Sequence, residues 1–122
     1  KLDRVLGEVA PSSAFRLERK GGRKGRIEVR SLEDLAEAVR YADPISVKHH
    51  LEIGDLKSWI EKTIGDDFLA HSIERGLEPL VESVEAPLLK EFLSDLVSIR
   101  LSRLKALSRT LRRQCRERAG SI

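Results

Sequence analysis

The stretch from Pro87 to Arg118, PLLKEFLSDLVSIRLSRLKALSRTLRRQCRER, runs thirty-two residues with no glycine or proline after its first position. It predicts a single helix, opened by a proline at the one place where a missing N–H costs nothing. At 1.5 Å per residue the helix would be about 48 Å long. Its apolar residues, Leu89, Phe92, Leu93, Leu96, Val97, Leu101, Leu104, Leu107, Leu111 and Cys115, keep steps of three and four. They form one stripe over about seven turns. A body of about 75 residues has a radius of gyration near 11 Å, so this helix should overhang it. The stripe must then fold back on the body, self-associate, or dock on another chain, and its first half is expected to fold back.

Working toward the N-terminus, residues 79–86 read as a proline-containing linker, and 12–78 as a small α+β domain. Phe15 and Leu17 alternate with Arg16 and Glu18, while Ile27 and Val29 alternate with Arg26, Glu28 and Arg30. Period two on both sides of the glycine-rich Gly21-Gly22-Arg23-Lys24-Gly25 predicts a β-hairpin with the apolar set facing a core. Ser31-Leu-Glu-Asp34 reads as an N-cap with first-turn acids opening a helix over LEDLAEAVRYA, which Asp43-Pro44 ends. ISVKHHLEI fits either a strand or a short helix. Asp55 and Asp66 each follow a glycine and precede an apolar run, so both read as helix caps over LKSWIEKTI and DFLAHSIERG. Residues 1–11 carry Leu2, Val5, Leu6 and Val9 on one face of an N-terminal helix fragment, and the true N-terminus is expected upstream. The fold class is α+β and mostly helical: a hairpin on three or four short helices, then the long helix. Trp59, Ile60, Leu56, Leu35, Val39, Phe15, Ile27 and Leu69 are the expected core.

The middle of the chain resembles a small archaeal and bacterial domain family of unknown function. The pieces that carry the likeness are Ser31-Leu32-Glu33-Asp34-Leu35, the Ser46-to-His50 segment, Gly54-Asp55-Leu56-Lys57-Ser58-Trp59-Ile60, and Gly65-Asp66-Asp67-Phe68-Leu69-Ala70. The resemblance covers about residues 14–75, with Leu56 where the family more often has Phe. It implies a fold and no activity. Residues 88–107, LLKEFLSDLVSIRLSRLKAL, also look somewhat like the core helices of archaeal GINS replication factors.

The chain has 122 residues and a net charge of +3, which hides a segregation. Residues 16–30 carry a net +5, residues 31–96 a net −9, and residues 97–122 a net +7. An acidic middle with two basic extremities points to a polyanion or an acidic protein as partner. There is no Asn, one Gln and 35% charged residues, a thermophile's composition, so the expected source is a thermophilic archaeon. Cys115 is the sole cysteine, which excludes an internal disulfide and suggests a reducing, cytoplasmic setting. No run of apolar residues suits a membrane span.

Motifs for chemistry are sparse. His49, His50 and Asp55 could suggest a metal or acid–base pair, but neighbouring histidines diverge and no full ligand set accompanies them. One histidine is expected to pack near Trp59 as a hydrogen-bonded core residue, with the other exposed. The hairpin glycines lack the Lys-Ser/Thr ending and strand-to-helix setting of a phosphate loop. No cofactor, metal or catalytic residue is therefore expected. The expected function is non-enzymatic association with DNA or RNA backbone, without sequence specificity, inside a larger assembly. The expected contacts are Arg19, Lys20, Arg23, Lys24 and Arg26 on the hairpin and Arg109, Arg112, Arg113 and Arg116 on the helix. Aromatic residues are absent from both basic stretches, which disfavours base stacking. The alternative is a protein-only adaptor, or a homo-oligomer, docking through Leu101, Leu104, Leu107 and Leu111.

Overall fold

The computed structural model describes residues 2–19 and 25–120, with side chains for 4–19 and 25–116. Lys20, Arg23 and Lys24, three of the expected contacts, lie outside the described residues. A short helix α1 (Leu2–Leu6) leads through a 3-10 turn at Pro11–Ser13 to strands β1 (Phe15–Glu18) and β2 (Arg26–Val29). Four helices follow: α2 (Leu32–Tyr41), α3 (Pro44–Ile53), α4 (Asp55–Trp59) and α5 (Asp67–Gly76). After a 3-10 turn at Glu78–Leu80 comes α6 (Ala86–Gly120), whose 35 residues span about 52 Å. The fold class is the expected one, α+β and mostly helical.

The strands pair antiparallel with Phe15 opposite Val29 and Leu17 opposite Ile27. That register sends all four apolar side chains to one face, where Phe15, Leu17 and Val29 are buried and Ile27 is half-buried. Both edges of this narrow sheet are used. Val9 N–H donates to the Arg30 carbonyl at 2.7 Å, and Asp43 N–H donates to the Glu18 carbonyl at 2.9 Å. The Arg30 and Glu18 carbonyls are thereby satisfied within the chain.

Ser31 caps α2 as its sequence suggests, its hydroxyl accepting from Asp34 N–H at 3.0 Å, while the Asp34 carboxylate accepts from Arg30 N–H. The ambiguous ISVKHHLEI segment is helical, and a physical reason is visible at its start. Pro44 stands in the first turn and the Asp43 carboxylate accepts from Ile45 N–H at 2.9 Å, a capped helix start. Ala42 pairs with Arg19 as a single bridge, so the extended backbone stops there.

The Asp55 expectation needs correcting. Gly54 takes φ +76°, ends α3 and itself occupies the N-cap of α4, leaving Asp55 inside the first turn with no capping bond. Asp66 does cap α5, accepting from Leu69 N–H at 3.2 Å. Between α4 and α5 the chain widens into a π-type turn, with Gly65 N–H and Asp66 N–H both donating to the Ile60 carbonyl. Gly65 holds φ +86°, and a Cβ there would lie 3.1 Å from the Arg4 guanidinium carbon. Gly65→Ala is expected to cost about 1–2 kcal/mol through the left-handed backbone alone, read as a shift in the urea midpoint with unchanged slope.

One core runs through the whole chain. It begins at Val5 and continues through Leu35, Val39, Leu56, Trp59, Ile60 and Leu69 to Leu89, Leu93, Val97 and Leu104 of α6. Leu77 and Val81 are buried in it as well, Val81 within the expected linker at 79–86, whose other residues are exposed or half-buried. The first half of α6 lies chiefly on α2 and α3, with α1 and α5 also touching it. The fold-back expected of that half is what forms.

Candidate nucleic-acid interface

The end of α6 is set apart by what stops touching it. Leu104 is its last buried residue, and every described side chain from Arg109 to Arg116 is exposed, the leucine and the arginines alike. A helix exposed on all sides has left the body. From Arg109 to Arg116 that exposed stretch is about 11 Å long.

The overhang has two unlike faces. Arg109, Arg112, Arg113 and Arg116 recur at i, i+3, i+4 and i+7. At 3.6 residues per turn they share an arc about 100° wide. Leu107 and Leu111 fall on the opposite side, which is also the side carrying the buried Leu89, Leu93, Val97 and Leu104. The arginine stripe lies on the side of the helix opposite the buried seam, and Leu107 and Leu111 continue that seam past its last buried residue.

Electrostatics separate the cations in the same way. Arg100 grips the buried Asp66 through Nε and Nη2, both at 2.9 Å, and its guanidinium sits 4.7 Å from the centre of the Phe68 ring. Lys105 Nζ donates to Glu33 at 2.9 Å. Lys90 Nζ donates to the Arg40 and Ala42 carbonyls at the end of α2. On the hairpin, Arg16 pairs with Glu28, while Arg30 reaches Glu8 and donates to the Val9 carbonyl. These cations serve the fold. Among the described residues no ion pair reaches Arg109, Arg112, Arg113 or Arg116, nor Arg19 or Arg26, all of which are exposed.

The four leucines expected to meet a partner divide at the point where the body ends. Leu104 is buried and Leu101 is half-buried against the core, so both are occupied by the chain itself. Leu107 and Leu111 are 49% and 44% exposed and remain available.

His50, weighed with His49 and Asp55 as a metal or acid–base candidate, sits against Asp55. Its Nδ1 lies 2.9 Å from both Asp55 oxygens, and its ring meets Phe15 edge-on at 4.9 Å. Phe15 in turn contacts Trp59, whose Nε1–H donates to the Ser13 carbonyl at 2.7 Å. His50 is hydrogen-bonded but only part-buried and meets Phe15, where a core histidine beside Trp59 is expected, and His49 is exposed. Spacing does carry a signal for the dyad, because Gly54 ends a helix between the two residues and can turn Asp55 back toward His50. Among the described residues no cluster of three or more His, Cys, Asp or Glu is gathered to hold a metal ion. No described helix is long and apolar enough to cross a membrane. No family model, curated protein or solved structure matches this chain.

Proposed function

We propose that this chain is a non-enzymatic, nucleic-acid-associated scaffold protein of the cytoplasm. Its overhanging helix lays Arg109, Arg112, Arg113 and Arg116 along a phosphate backbone within a ribonucleoprotein or replication complex. One observation carries the reading: these four guanidinium groups share one face and have no carboxylate partner among the described residues, whereas Arg100 and Lys105, nearer the body on the same helix, are paired. A stripe of unpaired arginines is fitted to phosphates, since each planar fork donates two parallel hydrogen bonds and each contact releases condensed counterions. Arg19 and Arg26 flank the hairpin connection and extend the cationic surface on a second element. With no aromatic residue in the stripe, contacts are to backbone and not to bases, so binding follows charge and shape.

The test is the salt dependence of binding to duplex DNA and to structured RNA. Four phosphate contacts predict a slope of log K against log salt of about −3.6 on duplex DNA, steeper if the hairpin also engages. A slope near zero would overturn the proposal.

A protein-only adaptor is the second reading, and Leu107 and Leu111 favour it: they continue the seam of Leu89, Leu93, Val97 and Leu104 but stand half-exposed. Docking of that face in a partner groove would be insensitive to salt. The two readings use opposite sides of the same helix and are compatible in one assembly.

A further inference from the structure

The long helix carries a second apolar stripe, apart from its buried seam. At about 100° per residue, Leu88, Phe92, Ile99 and Ala106 fall within about 40° of arc. That arc lies about 120° around the helix from Leu89, Leu93, Val97 and Leu104, and all four of its side chains are exposed. We propose that this stripe is the interface of a homodimer, in which α6 of a second copy packs antiparallel across a two-fold axis at Ile99. The inference does not rest on the nucleic-acid reading, and its contacts include neither the four stripe arginines nor Leu107 and Leu111.

The pattern along the stripe names the occupant. Four residues before Ile99 stands Asp95 and four residues after it Arg103, both exposed and neither in an ion pair among the described residues. Seven residues before Ile99 stands Phe92, and seven after it Ala106. An antiparallel two-fold pair sets each residue beside the one equally far beyond the axis. Asp95 of each copy then faces Arg103 of the other, and each Phe92 ring meets a small Ala106 side chain. Ile99 meets its own counterpart at the axis. Acid against base and large against small make the surface complementary to itself. Asp95 and Arg103 lie about 40° to either side of Ile99, an offset that the long arginine side chain can bridge at the 8–10 Å spacing of packed helices.

Other pairings of two copies set like charges together. A parallel pair would bring Asp95 onto Asp95 and Arg103 onto Arg103, which repel. Pairing through Leu107 and Leu111 would gather Arg109, Arg112, Arg113 and Arg116 of both copies, and residues 97–116 contain no acid to offset them. Centring the antiparallel pair at Ile99 instead lays the start of the helix, with Glu91 and Asp95, along its basic remainder.

Sedimentation equilibrium of the full chain from about 1 μM to 1 mM, the span of weak to moderate association, is the test. The mass is expected to rise from 13.8 kDa toward twice that value. Ile99→Arg puts two like charges on the axis and should raise the dissociation constant at least tenfold. Its side chain is exposed, so the thermal melt is expected to be unchanged. Asp95→Arg and Arg103→Asp should each weaken the dimer severalfold, and Asp95→Arg/Arg103→Asp should restore it, because the same pairs form with their signs exchanged. Eight residues apart, about 12 Å along one helix, the two side chains do not meet within a chain. Rescue therefore reports a contact between copies. A mass fixed at one chain across the range overturns the proposal and leaves the stripe to another protein or to solvent. A dimer that Ile99→Arg leaves intact, or that the double charge exchange fails to restore, overturns it as well. So does a dimer that Leu107→Gln/Leu111→Gln dissolves.

Discussion

Arg100→Met is expected to remove about 3–5 kcal/mol of stability and lower Tm by on the order of 10–20 °C. The size follows from where the carboxylate sits. Asp66 has a side chain 1% exposed and accepts both Arg100 bonds at 2.9 Å, besides capping Leu69 N–H. Removing the guanidinium strands a buried negative charge with one backbone donor for company, and that loss exceeds what a shorter aliphatic contact restores. The pair also ties α5 to α6 at the point just before the long helix leaves the body, so its loss weakens the docking of the seam. The double variant Asp66→Ser/Arg100→Met separates the causes, because serine still caps a helix but carries no charge. It should be more stable than Arg100→Met alone. Thermal unfolding by circular dichroism decides the matter, and a single-variant loss below about 1 kcal/mol would show that the pair is marginal.

That pair also shows where the sequence stops being legible. Asp66 was readable as a cap because a cap is a local bargain between neighbours three residues apart. Its ion partner lies thirty-four residues away on another helix, and no periodicity reports such a meeting. Sequence reading counts Arg100 and Lys105 with the other cations of the long helix, and packing assigns them instead to Asp66 and Glu33. The same limit divides the leucine stripe. Leu101, Leu104, Leu107 and Leu111 are equivalent by spacing, and only the extent of the body beneath them makes Leu104 buried and Leu111 exposed.

Elements governed by local rules were plain from the residues. Alternation over Phe15–Leu17 and Ile27–Val29 fixed which face of the hairpin is inward, because a one-residue slip would put charges in the core. Ser31 marked the start of α2 by a bond its own side chain makes. Asp55 misled for an equally local reason. Gly and Asp can each take the N-cap, and here the left-handed Gly54 occupies it, which frees the carboxylate for His50. The cations at 20, 23 and 24 fall outside the described residues, so the hairpin contribution rests on Arg19 and Arg26.

Replacing Arg109, Arg112, Arg113 and Arg116 together with glutamine is expected to weaken duplex DNA binding by about three and a half decades at 0.1 M salt, since each phosphate contact is worth close to a decade there. The salt slope should lose about 3.6 units with it, leaving whatever the hairpin supplies. Stability should barely move. Glutamine and arginine have similar helix propensity, the four side chains are exposed, and no described carboxylate loses a partner. This is the converse of the Arg100 variant, where Tm falls because the cation is spent on the fold. Leu107→Gln/Leu111→Gln supplies the control on the other face, and DNA affinity should be unaffected because those side chains point the opposite way. If the arginine variant binds as tightly as the native chain, the outward stripe is solvated surface and phosphate recognition lies elsewhere. If the leucine variant loses DNA affinity equally, the overhang works only as an assembled helix, paired through its apolar side before it meets the polyanion.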